Sequence, residues 1–211
     1  MADKQRKPGM NLPNKLTVLR IILVPIFIVV MMLPAAVLSP LASGLIGVSL
    51  FIIASLTDML DGKIARKYGL VTDFGKLMDP LADKFMVIGA LTVIVYRYAN
   101  VRAFFIWALL LVIFRELAVT SLRLVASSSG GVVVPANMLG KIKTVTQIVC
   151  VCTVVIEPML YSISALAKFL PAWWVQNVPL TYLTGGLMML FTVWSGINYF
   201  VGMWKYLDPQ K

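Results

Sequence analysis

The sequence predicts an all-α, polytopic membrane protein with six transmembrane helices. Three observations carry this. The 211 residues are 60% hydrophobic, with a mean hydropathy of +0.89. Only 13% of them are charged, about half the usual share for a soluble domain. Two stretches, Ile21 to Thr57 and Phe169 to Trp204, hold no charge at all. One span needs roughly 20 apolar residues, so the first stretch is long enough for two. Its middle, Leu33 to Ala42, carries the prolines and small residues of a tight loop.

The spans fall at residues 16–36, 40–66, 76–98, 102–126, 138–160 and 178–204. Together they make one transmembrane domain over residues 1–211, with a short cytoplasmic tail at 1–10. Lys4, Arg6, Lys7 and Lys15 precede the first span, and Lys63, Arg66, Lys67 and Lys76 flank the second connection. Lys141 and Lys143 open the fifth span, and Lys205 and Lys211 follow the sixth. The alternate connections hold only Arg97, Arg102 and Lys168. This bias puts both termini in the cytoplasm and the chain in the cell membrane. A basic start, an apolar run and Ala35-Ala36 would also fit a cleaved signal peptide. The polar segment Asn11-Leu-Pro-Asn14 ahead of that run favours a retained helix.

Ser127-Ser-Ser-Gly-Gly131 reads as a flexible cytoplasmic loop. Residues 161–177, with Tyr161, Lys168, Trp173 and Trp174, suit an interfacial segment. Cys150 and Cys152 are two apart in an apolar helix, so they point to different sides and form neither a disulfide nor a metal site. The net charge of +10 does not imply a nucleic-acid partner here. It fits the positive-inside bias, and equally a site for phosphate-bearing substrates beside anionic membrane lipids. With no histidine, any general base is another residue type.

Five of the nine acidic residues lie between Asp58 and Asp83. A carboxylate on a membrane helix is unfavourable by about 3 kcal/mol even on lenient insertion scales. Asp58 and Asp61 are spaced i, i+3, and Asp79 and Asp83 are spaced i, i+4, so each pair shares a helical face. If residues 67–75 join antiparallel helices, the pairs meet, and cations must offset their repulsion. Such hard oxygen donors suit magnesium, manganese or calcium rather than zinc. Gly62, Ala65 and Arg66 share the stripe of the first pair, and Gly75 leads into the second. Small residues there leave the helix face bare for a flat or bulky group. Close helix packing would also explain the small residues, but not the aspartates. An ion path in a cation transporter would explain the aspartates. Their position at cytoplasmic helix ends argues against it.

Asp58-Met-Leu-Asp61-Gly62-Lys-Ile-Ala65-Arg66, eight further residues, then Gly75-Lys-Leu-Met-Asp79-Pro-Leu-Ala-Asp83 resembles the signature of the CDP-alcohol phosphotransferases at every fixed position. The resemblance implies a six-helix membrane fold, a homodimer, and a polar cavity open to the cytoplasm. It implies cleavage of a CDP-linked lipid by an alcohol, with release of CMP. Asp58, Asp61, Asp79 and Asp83 would hold Mg²⁺ or Mn²⁺ ions. Asp83 would be the catalytic base, although spacing alone does not separate it from Asp79. Gly62, Ala65, Arg66 and Gly75 would line the nucleotide with Asp58, joined by Asn14 and Thr17.

Asn11-Leu-Pro-Asn14-Lys-Leu-Thr17-Val-Leu-Arg20, Arg115-Glu116 with Ser121-Leu-Arg123, and Gly140-Lys141-Ile-Lys143-Thr144-Val-Thr-Gln147 resemble the bacterial phosphatidylglycerophosphate synthase branch. That implies CDP-diacylglycerol and sn-glycerol 3-phosphate as substrates. Another acceptor, an inositol phosphate or phosphatidylglycerol, is the alternative within the family. The residues themselves favour an anionic acceptor. Arg115 and Arg123 share one face of a span, and arginines there need anions. With Lys141 and Lys143 they would form a phosphate pocket. Snorkelling or positive-inside charge would account well for Lys143, fairly for Arg123 and Lys141, and poorly for Arg115.

Overall fold

The computed structural model describes residues 10–130, 138–163 and 168–204, with side chains left aside at 126–130. The described residues form helices and turns without a strand. The helices are α1 (Leu12–Met32), α2 (Pro40–Tyr68), α3 (Asp73–Arg97), α4 (Arg102–Gly130), α5 (Met138–Tyr161), α6 (Ala172–Asn177) and α7 (Pro179–Met203). Residues α1, α2, α4, α5 and the α6–α7 stretch are long and apolar enough to cross a membrane. The remaining long helix, α3, has 25 residues and opens on Asp73, Lys76, Asp79, Asp83 and Lys84, which lower its hydropathy. It is the sixth spanning helix of a multi-pass membrane fold.

The ends follow local chemistry. Asn11 caps α1 by accepting from the Asn14 amide at 3.0 Å, and Thr72 caps α3 through the Gly75 amide at 3.0 Å. α2 stops at Gly69, whose φ of +63° is open to glycine at no steric penalty. The loop to α3 is therefore short. The first span begins and ends four residues earlier than predicted, because the Asn11 cap starts it and the turn before Pro40 stops it. Ser127 to Gly130 continue α4 rather than forming a loop, and Gly131 lies outside the described residues. Serine lowers helix propensity by only a few tenths of a kcal/mol, which a long pre-formed helix absorbs. Within 161–177, Tyr161 ends α5 and the two tryptophans sit on the short α6, while 164–167 lie outside the described residues.

α1 packs against both α2 and α3, whereas α2 and α3 scarcely touch each other. α5 packs on α7 and α2, and α4 on α7 and α3. The core runs through Phe27, Met31, Phe51, Ala90, Leu91, Phe105 and Val154. Gly47 is what lets α2 approach α1, since a Cβ there would lie 2.3 Å from the Met31 Sδ. Away from the lysine-rich end, Arg97 donates to the Ser43 hydroxyl at 2.7 Å and to the Met31 carbonyl, joining α3 to α2 and α1. Glu157 of α5 accepts from the amides of Leu180 and Thr181 at 3.2 and 2.7 Å, capping the start of α7. Both cysteines are free, Cys150 buried and Cys152 half-buried, as their spacing predicts.

Candidate active site

α1 assembles the site. Arg20, with 0% of its surface exposed, reaches both aspartates of α2. Its Nη1 lies 2.7 Å from Asp58 as an ion pair without hydrogen-bond alignment, and its Nη2 donates to Asp61. One turn earlier the Thr17 hydroxyl donates to Asp79 of α3 at 2.7 Å. Asn14 accepts from the Thr72 hydroxyl at 2.9 Å, and Asn11 donates to the Leu70 carbonyl at 3.0 Å. The two aspartate pairs therefore meet through α1 and not by direct packing of α2 on α3. Asp58 lies within electrostatic reach of Asp61 and Asp79, and Asp83 within reach of Asp58.

The chemistry of this donor set fits a hard divalent cation. Arg20 pairs with two of the four carboxylates, and all four offer oxygen donors. Among the described residues no three carboxylates already converge at ligating distance. Arg20 partly neutralises Asp58 and Asp61, whereas Asp79 and Asp83 have no ion pair among the described residues. Asp83 also makes no hydrogen bond there, so its oxygens remain available. Lys143 and Arg20 are the cations within its electrostatic reach.

The predicted nucleotide residues divide into two groups. Gly62 presents an open helix face, where a Cβ would find only the Arg66 Nη2 within 4 Å, at 3.7 Å. Ala65 and Arg66 continue that face toward the end of α2. Asn14, Thr17 and Gly75 are buried at the α1–α3 contact instead. A Cβ on Gly75 would lie 3.2 Å from the Asn14 Oδ1 and 3.7 Å from the Asp79 Oδ2. Gly75 thus brings α3 up to α1 and leaves room for Asp79.

The predicted acceptor residues form a chain of contacts. Glu116 of α4 accepts from Arg115 at 3.1 Å and from Lys143 of α5. Arg115 also donates to the Ser195 hydroxyl of α7 at 2.6 Å. The guanidinium groups of Arg115 and Arg123 lie 5.6 and 5.0 Å from the Tyr199 ring centroid, and Arg123 donates to the Tyr199 hydroxyl. Lys141 is exposed outside this chain. Lys143 is 5% exposed and ion-paired, so it is no snorkelling charge at a helix end. The reason is Glu116, which serves two cations, Arg115 and Lys143.

Sequence reasoning assigned no role to Arg20, Ser195 or Tyr199. Arg20 had two signals: it closes the Asn11-to-Arg20 stretch that carries the branch resemblance, and it is the last charge before the long uncharged stretch. Ser195 and Tyr199 had none within a uniformly apolar span.

The family model for CDP-alcohol phosphatidyltransferases matches residues 10–197. A Bacillus subtilis protein named CDP-diacylglycerol–glycerol-3-phosphate 3-phosphatidyltransferase is 42% identical, covering 95% of this chain and 99% of its own length. A Pseudomonas fluorescens protein of the same name is 32% identical over 95% of this chain and 94% of its own. A Rickettsia typhi protein of that name is 41% identical over 65% of this chain and 71% of its own. With the family model covering most of the chain and relatives aligned along nearly its whole length, the chain belongs to the CDP-alcohol phosphatidyltransferase family.

Proposed function

We propose that this chain transfers the phosphatidyl group of CDP-diacylglycerol to sn-glycerol 3-phosphate, giving phosphatidylglycerophosphate and CMP in phospholipid biosynthesis. The observation that carries it is the side-by-side placement of two opposite sites. The aspartates of α2 and α3 stand beside a cationic chain from α4 and α5, and Lys143 links them by lying within electrostatic reach of Asp83. A carboxylate site suits a metal-bound diphosphate, and a cationic site suits an acceptor that carries its own phosphate.

Asp58, Asp61 and Asp79, with Asp83 beside them, would hold Mg²⁺ or Mn²⁺. Bound there, such an ion would supply positive charge to offset that of the diphosphate and of CMP as it departs. Arg20 fixes the rotamers of Asp58 and Asp61, and Thr17 fixes that of Asp79. The open face from Gly62 to Arg66 takes the nucleotide. Asp83 is the better-placed base, because Thr17 already occupies an oxygen of Asp79. It accepts the proton of the acceptor hydroxyl as that oxygen bonds to the phosphorus bearing diacylglycerol. The bond from this phosphorus to the bridging oxygen breaks, and CMP leaves with the electron pair. Glu116 draws Lys143 and Arg115 together and orients them, and these cations with Arg123 receive the acceptor phosphate. Lys141 guides the acceptor from the exposed end of α5. The lysine-rich ends of α2, α3 and α5 face the cytoplasm of the cell membrane, and the protein works as a homodimer.

The test is an assay of purified protein with CDP-diacylglycerol, Mg²⁺ and separate acceptors. CMP and a phosphorylated lipid should appear with glycerol 3-phosphate. Faster turnover with inositol phosphate or phosphatidylglycerol would reassign the acceptor, and divalent-cation flux in proteoliposomes without CMP release would remove the enzyme reading. Light scattering of the same preparation checks the dimer.

A further inference from the structure

Gln147 of α5 is 1% exposed, and neither end of its amide has a hydrogen-bond partner among the described residues. A buried amide left unpaired is unfavourable, and methionine or leucine would fill the same volume without that penalty. Gln147 follows Lys143 by one helical turn on the same buried face. Lys143 joins Glu116 and lies within electrostatic reach of Asp83. α5 packs against α2 and touches α3, the helices that carry the four aspartates. The amide therefore sits one turn deeper than the cation that links the carboxylate site to the phosphate site.

We propose that Gln147 binds the hydroxyl of the acceptor that does not react. This rests on the acceptor reading given above. Glycerol 3-phosphate carries a terminal hydroxyl, the less hindered nucleophile, and a middle hydroxyl that stays free. A hydroxyl both donates and accepts, and so does an amide, so one group satisfies both open ends of Gln147. The amide then selects a polyol phosphate over an acceptor without the second hydroxyl.

The experiment compares glycerol 3-phosphate with 1,3-propanediol monophosphate, which lacks the middle hydroxyl, in the unaltered chain and in Gln147→Met. The unaltered chain should prefer glycerol 3-phosphate by roughly tenfold in kcat/KM. Gln147→Met should use the two acceptors alike, keep its KM for CDP-diacylglycerol, and melt at the same or a higher temperature. Full discrimination in Gln147→Met overturns the proposal. So does lost discrimination accompanied by a lower melting temperature and a raised KM for CDP-diacylglycerol, which is a packing defect. If the Met protein does not fold, Gln147→Asn, with its amide withdrawn by one methylene, serves the same comparison. An unaltered chain that uses CDP-diacylglycerol with another acceptor but not with glycerol 3-phosphate removes the acceptor reading, and this inference with it.

Discussion

Arg20 of α1 donates to Asp61 of α2 while fully buried, and the same guanidinium lies 2.7 Å from Asp58. One cation therefore sets the spacing of the first aspartate pair. Removing one partner of a buried pair typically lowers stability by about 3–5 kcal/mol. Arg20→Ala should lower the melting temperature and abolish CMP release. Arg20→Lys keeps the charge but loses the fork that spans two carboxylates. It should fold, with turnover reduced at least roughly tenfold. Unchanged turnover in the Lys protein would show that the spacing of Asp58 and Asp61 does not depend on Arg20.

Thr17 makes the corresponding contact to Asp79. Thr17→Val keeps the shape and removes the hydroxyl, a loss of about 1 kcal/mol in stability. Turnover should fall more than the melting temperature suggests, because Asp79 is freed to rotate. Parallel kinetics and melts of Thr17→Val and Thr17→Ser decide this, with Ser expected to restore turnover.

Glu116 holds Lys143 and Arg115 together, so Glu116→Gln should let these cations repel. KM for glycerol 3-phosphate should rise, while KM for CDP-diacylglycerol stays near its original value. Arg115→Ala should lower kcat/KM for glycerol 3-phosphate by roughly ten- to a hundredfold, and Arg115→Lys by less. An equal loss toward both substrates, with a lower melting temperature, would restrict Arg115 to its contacts with Ser195 and Tyr199.

The membrane arrangement is tested by labelling. After Cys150 and Cys152 are replaced, single cysteines at Lys67 and Asn100 should react from opposite sides of the membrane, the first from the cytoplasm. Reaction of both from one side would contradict the orientation of the site.

Much of this was legible in the sequence because it depends on period. The spacing of Asp58, Asp61, Asp79 and Asp83 placed each pair on one face, and the bare surface at Gly62 followed from the same count. What stayed hidden depends on partners from distant helices. Periodicity does not say that α1 lies between α2 and α3, so the roles of Arg20 and Thr17 as bridges could not be read. Tyr199 and Ser195 sit in a span whose apolar residues face both lipid and core, where no period separates them. The helix through Ser127 and Gly130 was missed because turn-forming residues were weighed without the long helix leading into them.

The most direct test of the central claim, that these aspartates hold a divalent cation for phosphatidyl transfer, is CMP release across a magnesium titration. The unaltered chain should stop when chelated and recover when Mg²⁺ is restored. Asp79→Asn, equal in size but lacking the charge, should melt normally and release no CMP at any Mg²⁺ concentration. Near-normal CMP release from Asp79→Asn, or full activity of the unaltered chain under chelation, would contradict it.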